Sequence, residues 1–144
     1  MQSKADESRI QVRVDSSENM PLLEADRDKI KQVLLNLMSN AIKYNRPNGS
    51  VIITGNFTDA EVSLNIQDTG LGIPEDAVPH LFEKFFRVRE HEGKAAGTGL
   101  GLSICKQIVQ GHNGRIEVKS KMGVGTSFNI FLPRAPRVIP PIDG

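Results

Sequence analysis

A chain of 144 residues has room for one domain with a substantial core and little space for a second. Its 18 Lys and Arg balance 17 Asp and Glu, which excludes capture of nucleic acid or an anionic membrane by bulk charge. With 38% hydrophobic residues, no apolar run near the ~20 residues of a membrane span and no signal-type start at Met1-Gln2-Ser3-Lys4, the chain reads as a soluble, cytoplasmic domain.

Residues 1–9 are polar and are expected to form a poorly ordered linker. Ile10, Val12 and Val14 alternate with polar neighbours, the pattern of an edge strand. Pro21 to Ala25 suggests a short extended piece, and Asp26 a helix cap with Asp28 in the positive first turn. A long helix is predicted from about Arg27 to Tyr44, because Ile30, Val33, Leu34, Leu37, Ala41 and Ile42 recur at helical spacing. Arg46-Pro47-Asn48-Gly49 ends it. Ser50–Phe57 and Glu61–Gln67 alternate as two strands of a hairpin with Thr58-Asp59-Ala60 at the bend.

Pro74-Glu75-Asp76 can start a short helix, and Leu81, Phe82, Phe85 and Phe86 form an apolar cluster. Arg87 to Gly97 lacks core periodicity and reads as a surface loop. A second long helix is predicted from about Leu100 to Gly111, with Leu102, Ile104, Cys105, Ile108 and Val109 inward. As the single cysteine, Cys105 excludes an internal disulfide and fits a reducing compartment. Arg115–Ser120 and Thr126–Leu132 make a last hairpin, and the Pro-rich stretch 134–144 reads as a tail. The domain proper is therefore expected at 10–133. Its fold class is α+β, a two-layer α/β sandwich whose mixed, mostly antiparallel sheet is covered on one face by about three helices.

Three groups of residues could carry chemistry. On a helix, Asn36, Asn40 and Lys43 fall at i, i+4 and i+7, within an arc of roughly 60°. Asparagine is a mediocre helix former, so two on one face cost stability that lysine or glutamate would not. Their amide oxygens could bind a hard cation such as Mg²⁺, with Lys43 near phosphates; the alternative is a solvated polar face. Asp68 ends an alternating strand just before Gly70 and Gly72. Its carboxylate could accept a hydrogen bond from a purine amine, or cap its own turn. Gly97-Thr98-Gly99-Leu100-Gly101 precedes a helix, an arrangement that exposes N–H groups to an anion or else serves only as a hinge. No G-x-x-x-x-G-K-[ST] is present, and Leu102 stands where a dinucleotide fingerprint needs its third glycine.

In combination these stretches resemble the sensor histidine kinases. Gln32 to Tyr44 is similar to their N box, Asp68–Pro74 to their G1 box, Leu81–Val88 to their F box and Gly97–Ile104 to their G2 box. Gly125-Thr126-Ser127-Phe128 to Leu132-Pro133 resembles their last strand. The resemblance runs in family order from about Ile10 to Pro133. It implies the Bergerat-type ATP-binding fold of the GHKL group. It also implies a domain that binds Mg-ATP and donates the γ-phosphoryl group to a histidine on a separate dimerisation domain, within a parent kinase that serves a response regulator. That parent could be an inner-membrane sensor.

By the same resemblance, Asn40 with Asn36 beside it would hold Mg²⁺, Lys43 would contact phosphate, and Tyr44 would pack on adenine or ribose. Asp68 would bind the adenine amine, with Gly70, Gly72 and Ile73 shaping that wall and Thr126 assisting through a water. Gly97, Gly99 and Gly101 would hinge a lid, with the N–H groups of Thr98 and Leu100 near the triphosphate. Phe82, Phe85 and Phe86 would anchor the lid's other end, and Arg87 would approach the γ-phosphate. The related gyrase, Hsp90 and MutL ATPases carry a water-activating glutamate four residues before the metal asparagine. Here that place is Asn36, an amide that cannot take a proton, which implies poor hydrolysis. His80, His91 and His112 lack the context of a phosphoacceptor. Departures from the family are Asn45 in place of Ser or Thr, His112-Asn113-Gly114, and a short lid. An anti-sigma regulator with serine kinase activity shares the same boxes and is the competing reading.

Overall fold

A computed structural model describes residues 10–16, 25–88 and 101–134. The expected linker at 1–9, the extended piece before Ala25, His91, the lid residues Gly97, Thr98, Gly99 and Leu100, and all of the tail beyond Arg134 lie outside the described residues. Five strands form one sheet: β1 (Gln11–Ser16), β2 (Ser50–Phe57), β3 (Glu61–Asp68), β4 (Arg115–Lys121) and β5 (Gly125–Pro133). Their order is β1-β2-β3-β5-β4, with β1 parallel to β2 and the other pairs antiparallel. Parallel neighbours need a crossover, and helix α1 (Arg27–Lys43) supplies it. Helix α2 (Gly101–Gly111) precedes β4.

Local chemistry sets the helix ends. The Asp26 carboxylate accepts the Lys29 N–H at 3.1 Å, while Asp28 and Lys43 sit at the ends that suit their charges. At the close of α2, Asn113 takes φ 61° and the Gly114 N–H returns to the Val109 carbonyl at 2.9 Å. His112 then ties the two helices together. Its Nε2 accepts the Asp26 N–H at 2.9 Å, and its Nδ1 lies 2.8 Å from the Ile108 carbonyl oxygen.

The core lies between the helices and one face of the sheet. Val33, Leu37, Ala41 and Ile42 of α1, with Cys105 and Val109 of α2, pack over Val51, Ile66, Phe128, Ile130 and Leu132. Residues one step along each strand point to the other face, which is polar. There Asn65 donates to Ser127 Oγ at 2.6 Å and to Asn129 Oδ1 at 2.7 Å, and the Arg115 guanidinium lies 3.9 Å above the Phe131 ring. The two-layer α+β sandwich is the predicted one.

Two expectations need correction, and one segment is shorter than expected. Among the described residues two α-helices accompany the sheet, with a 3₁₀ turn at Val78–His80 where Pro74-Glu75-Asp76 predicts a short helix. Ala77 and Val78 both bond back to the Pro74 carbonyl, but Pro79 has no N–H with which to continue the ladder. In α2, a step of about 100° from Cys105 carries Ile104 to the flank, half-buried and outside the core. Phe85 is 69% exposed, because its φ of 65° turns the side chain away from the Phe82–Phe86 side.

Register places the two strand ends that matter most. Asp68 pairs with Thr126, so the carboxylate that closes β3 stands beside the second residue of β5. Gly125 makes that closeness possible: its φ is 149°, and a Cβ there would stand 2.0 Å from the Asp68 carbonyl oxygen. Gly125→Ala is expected to push β5 off β3 and cost about 2–4 kcal/mol, read as a lower urea midpoint. An unchanged midpoint would mean that this end of the β3–β5 pair is not tightly held.

Candidate functional site

A cavity of about 260 Å³ opens between α1, the end of β3 and the start of α2. Asn36, Asn40, Lys43 and Tyr44 line it from α1 and its cap. Asp68, Gly72 and Ile73 line it from β3 and the following turn, and Thr126 from β5. Phe86 and Arg87 stand at one side and Gly101 at another. The structure thus gathers residues that are ninety positions apart in the chain, from about 36 to 126, into one wall. Of the predicted site, Gly70 does not line the cavity, and Gly97, Thr98, Gly99 and Leu100 fall outside the described residues.

The polar stripe of α1 is not a solvated face. Asn36, Asn40 and Lys43 are each half-buried at the margin of the core. Among the described residues the Asn40 amide makes no hydrogen bond and the Lys43 ammonium no ion pair. Asn36 is turned toward α2 instead: its Nδ2 reaches the Gly101 carbonyl at 3.5 Å, a long contact. The donor side of that amide is therefore engaged, and its oxygen remains available to the cavity.

Asp68 does two things at once. Its Oδ1 accepts the Gly70 N–H at 2.8 Å and the Thr126 N–H at 3.2 Å, so one oxygen does cap its own turn. Its Oδ2 has no hydrogen bond among the described residues. Burial pushes the carboxyl above its ordinary value, against the lowering pull of the Gly70 and Thr126 N–H groups.

A second turn supports this wall. Gly72, at φ 76°, leaves no room for a Cβ, which would meet the Lys121 carbonyl at 2.1 Å. The turn after β3 therefore packs directly on the β4–β5 turn, and the Gly123 N–H donates to the Leu71 carbonyl at 2.8 Å. Ser120 pins the junction. Its Oγ accepts the Ile73 N–H at 2.8 Å, donates to the Gly125 carbonyl at 3.0 Å and lies 2.8 Å from Thr126 Oγ1. Sequence reasoning missed Ser120. The signal was its place in the inward series Ile116, Val118, Ser120, a hydroxyl where a hydrophobe would otherwise fit.

Asn45, read as a departure from Ser or Thr, is 4% exposed and hydrogen-bonded at both ends of its amide. It donates to the Ser50 carbonyl at 3.0 Å and accepts from the Arg46 N–H at 2.9 Å and the Thr69 hydroxyl at 3.2 Å. In the F-box segment, Phe82 meets Phe128 edge-on at 6.3 Å, and Phe86 lies 5.7 Å from the His80 ring. Phe85 takes no part in that packing.

The raised carboxyl has a consequence for stability. Folded Asp68 holds its proton more tightly than the unfolded chain does, so its charge costs stability. That cost is absent at low pH, where both states are protonated, and complete above the folded value. At about pH 7, Asp68→Asn is expected to unfold at or above the wild-type temperature, a margin that closes as pH falls below about 3. A variant less stable than wild type at neutral pH would mean that the two N–H bonds outweigh burial.

Comparison with known proteins fits this geometry. The profile of the family described as histidine kinase-, DNA gyrase B-, and HSP90-like ATPase matches residues 25–136. The adaptive-response sensory kinase SasA of Synechococcus elongatus is 42% identical over 116 residues, covering 80% of this chain and 30% of that protein. The chain spans under a third of the length of the curated relatives it matches. Among solved structures, the catalytic domain of the histidine kinase ThkA superposes with a TM-score of 0.81 at 33% identity, covering 94% of this chain and 87% of that one. Full-length ShkA in complex with AMPPNP superposes with a TM-score of 0.81 at 30% identity, covering 92% of this chain and 27% of that one. The chain belongs to the histidine kinase-, DNA gyrase B- and HSP90-like ATPases, as an ATP-binding catalytic domain of the sensor histidine kinase type.

Proposed function

We propose that this domain, residues 10–133, binds Mg-ATP in the cavity and donates its γ-phosphoryl group to a histidine on a separate dimerisation domain. The observation that carries the reading is one cavity lined by an anchored carboxylate with a spare oxygen, an amide without a partner and an unpaired ammonium, all among the described residues. An adenine amine suits Asp68 Oδ2, and a triphosphate suits Lys43 and Arg87. Tyr44 lies along the base or ribose, with Gly70, Gly72, Ile73 and Thr126 holding the wall. Gly97, Thr98, Gly99, Leu100 and Gly101 would close over the phosphates.

The donor set fits Mg²⁺ in one specific way. Among the described residues no three His, Cys, Asp or Glu cluster to cage a cation. Asn40 and the oxygen of Asn36 offer neutral oxygen ligands, which suits an ion that completes its shell with phosphates and waters. When bound there it would neutralise charge between the transferring and leaving phosphates.

Asn36 decides the acceptor. With an amide in place of a general base, the site cannot activate water. A neutral imidazole nitrogen needs no such activation. It forms the N–P bond to the γ-phosphorus as the bond to the ADP oxygen breaks, and the residues of this chain contribute position and charge. The relative named as a sensory kinase supports this reading over the serine-kinase regulator, and the AMPPNP bound by ShkA supports an adenine nucleotide as the ligand. The parent kinase would then pass the phosphoryl group to a response regulator. No helix among the described residues is long and apolar enough to cross a membrane, in keeping with a cytoplasmic place for this segment.

The test combines the chain with γ-labelled ATP, Mg²⁺ and the parent's purified phosphoacceptor domain. Acid-labile label is expected on that domain; when it is omitted, free phosphate should form about 100-fold more slowly than label is transferred in its presence. Asn40→Ala should transfer poorly and lose its response to Mg²⁺. Fast hydrolysis without the acceptor, or a wild-type Mg²⁺ response in Asn40→Ala, would contradict the reading.

A further inference from the structure

Arg46 lies just beyond the α1 cap, on the outer side of the turn that follows β3. Its Nε donates to the Thr69 carbonyl at 2.7 Å, and its Nη2 donates to the Gly70 carbonyl at 3.2 Å and the Gly123 carbonyl at 2.6 Å. No carboxylate pairs with it among the described residues. A guanidinium spent wholly on backbone oxygens is holding backbone.

We propose that Arg46 is a positioning residue for the adenine-binding carboxylate, fixing the Asp68–Leu71 turn from the side away from the nucleotide. The proposal rests on the role given to Asp68 above. Its basis is the geometry of two successive peptide units. Each is planar and trans, so its C=O and N–H point in opposite directions. In the Thr69–Gly70 unit the carbonyl is held by Arg46 and the N–H by Asp68 Oδ1 at 2.8 Å. In the Gly70–Leu71 unit the carbonyl is again held by Arg46, and the N–H donates to the Tyr44 carbonyl at 3.0 Å.

Gly70 sits between the two units, and without a Cβ its own sterics do little to fix either plane. Rotation of the Thr69–Gly70 unit would withdraw an N–H from Asp68 and present a carbonyl oxygen to the carboxylate. Arg46 opposes that rotation by holding the carbonyl on the far side. Its third contact, to Gly123, lies in the turn that leads into Thr126, the other N–H donor to Asp68 Oδ1. One side chain therefore braces both segments that orient the carboxylate. Lysine would keep the charge but lose the planar fork that reaches three oxygens.

Calorimetry separates this role from general support of the fold. ATP and inosine triphosphate, which lacks the exocyclic amine, would be titrated into wild type, Arg46→Ala, Arg46→Lys, Asp68→Asn and the Arg46→Ala/Asp68→Asn double variant. Asp68→Asn is expected to weaken ATP binding about tenfold. Arg46→Ala should weaken ATP about fivefold and leave inosine triphosphate within about twofold, with Arg46→Lys in between. In the Asp68→Asn background, Arg46→Ala should change ATP affinity less than about twofold. Wild-type ATP affinity in Arg46→Ala, or equal losses for both nucleotides in both backgrounds, would overturn the role of Arg46 while leaving Asp68 in place. Wild-type ATP affinity in Asp68→Asn would remove the reading of Asp68 and this proposal together.

Discussion

The wall of the cavity depends on a single carboxylate oxygen. Asp68 Oδ1 accepts one N–H from the turn that follows it and one from a strand 58 residues further on, so local and long-range structure meet on one atom. A buried charge is tolerated only when it is well hydrogen-bonded, and here the bonds come from backbone groups that cannot turn away. Fixing Oδ1 also fixes Oδ2. That is the pre-organisation that the proposed base-reading role needs, since the entropy of ordering is lost on folding and not on binding.

The surrounding structure follows from making that atom possible. The β3–β5 register sets Asp68 opposite Thr126, and Gly125 and Gly72 remove the Cβ atoms that would hold the two turns apart. Ser120, Asn45 and Arg46 then satisfy the carbonyls and N–H groups left over by this close approach. None of these three is part of the apolar core. They hold two turns in contact, and burial of the carboxyl works against stability at neutral pH. The site is thus kept by a polar network at some cost to the fold, whereas the core beneath it is a plain stack of Val33, Leu37, Ile66 and Ile130.

Legibility in the sequence followed the range of the interactions. The capped helix from Arg27 and the alternating strands rest on spacing within one element, as does the shared helix face of Asn36, Asn40 and Lys43, and these elements form as read. The motif order pointed to the right family, but not to why each residue is where it is. Gly72 read as shaping the wall beside Asp68, and its missing Cβ is required by the Lys121 carbonyl as well. Arg46 read as a turn residue, because side-chain bonds to distant carbonyls leave no local pattern. Phe85 read as core by composition, and a single left-handed backbone angle turned it to solvent. The 3₁₀ turn fell short of a helix for an equally local reason, the missing N–H of Pro79, which was visible in the sequence.

The central claim is that α1, the end of β3 and the start of β5 face one adenine nucleotide. Titrating AMPPNP and Mg²⁺ into isotope-labelled protein and following amide chemical shifts tests it most directly. The account predicts that the Gly70 and Thr126 backbone amides and the Asn40 side-chain amide move together along one binding curve. Asn65 and Asn129, on the opposite sheet face, should stay in place. Shifts confined to that opposite face, or Asn40 moving on a different curve from Gly70 and Thr126, would contradict it.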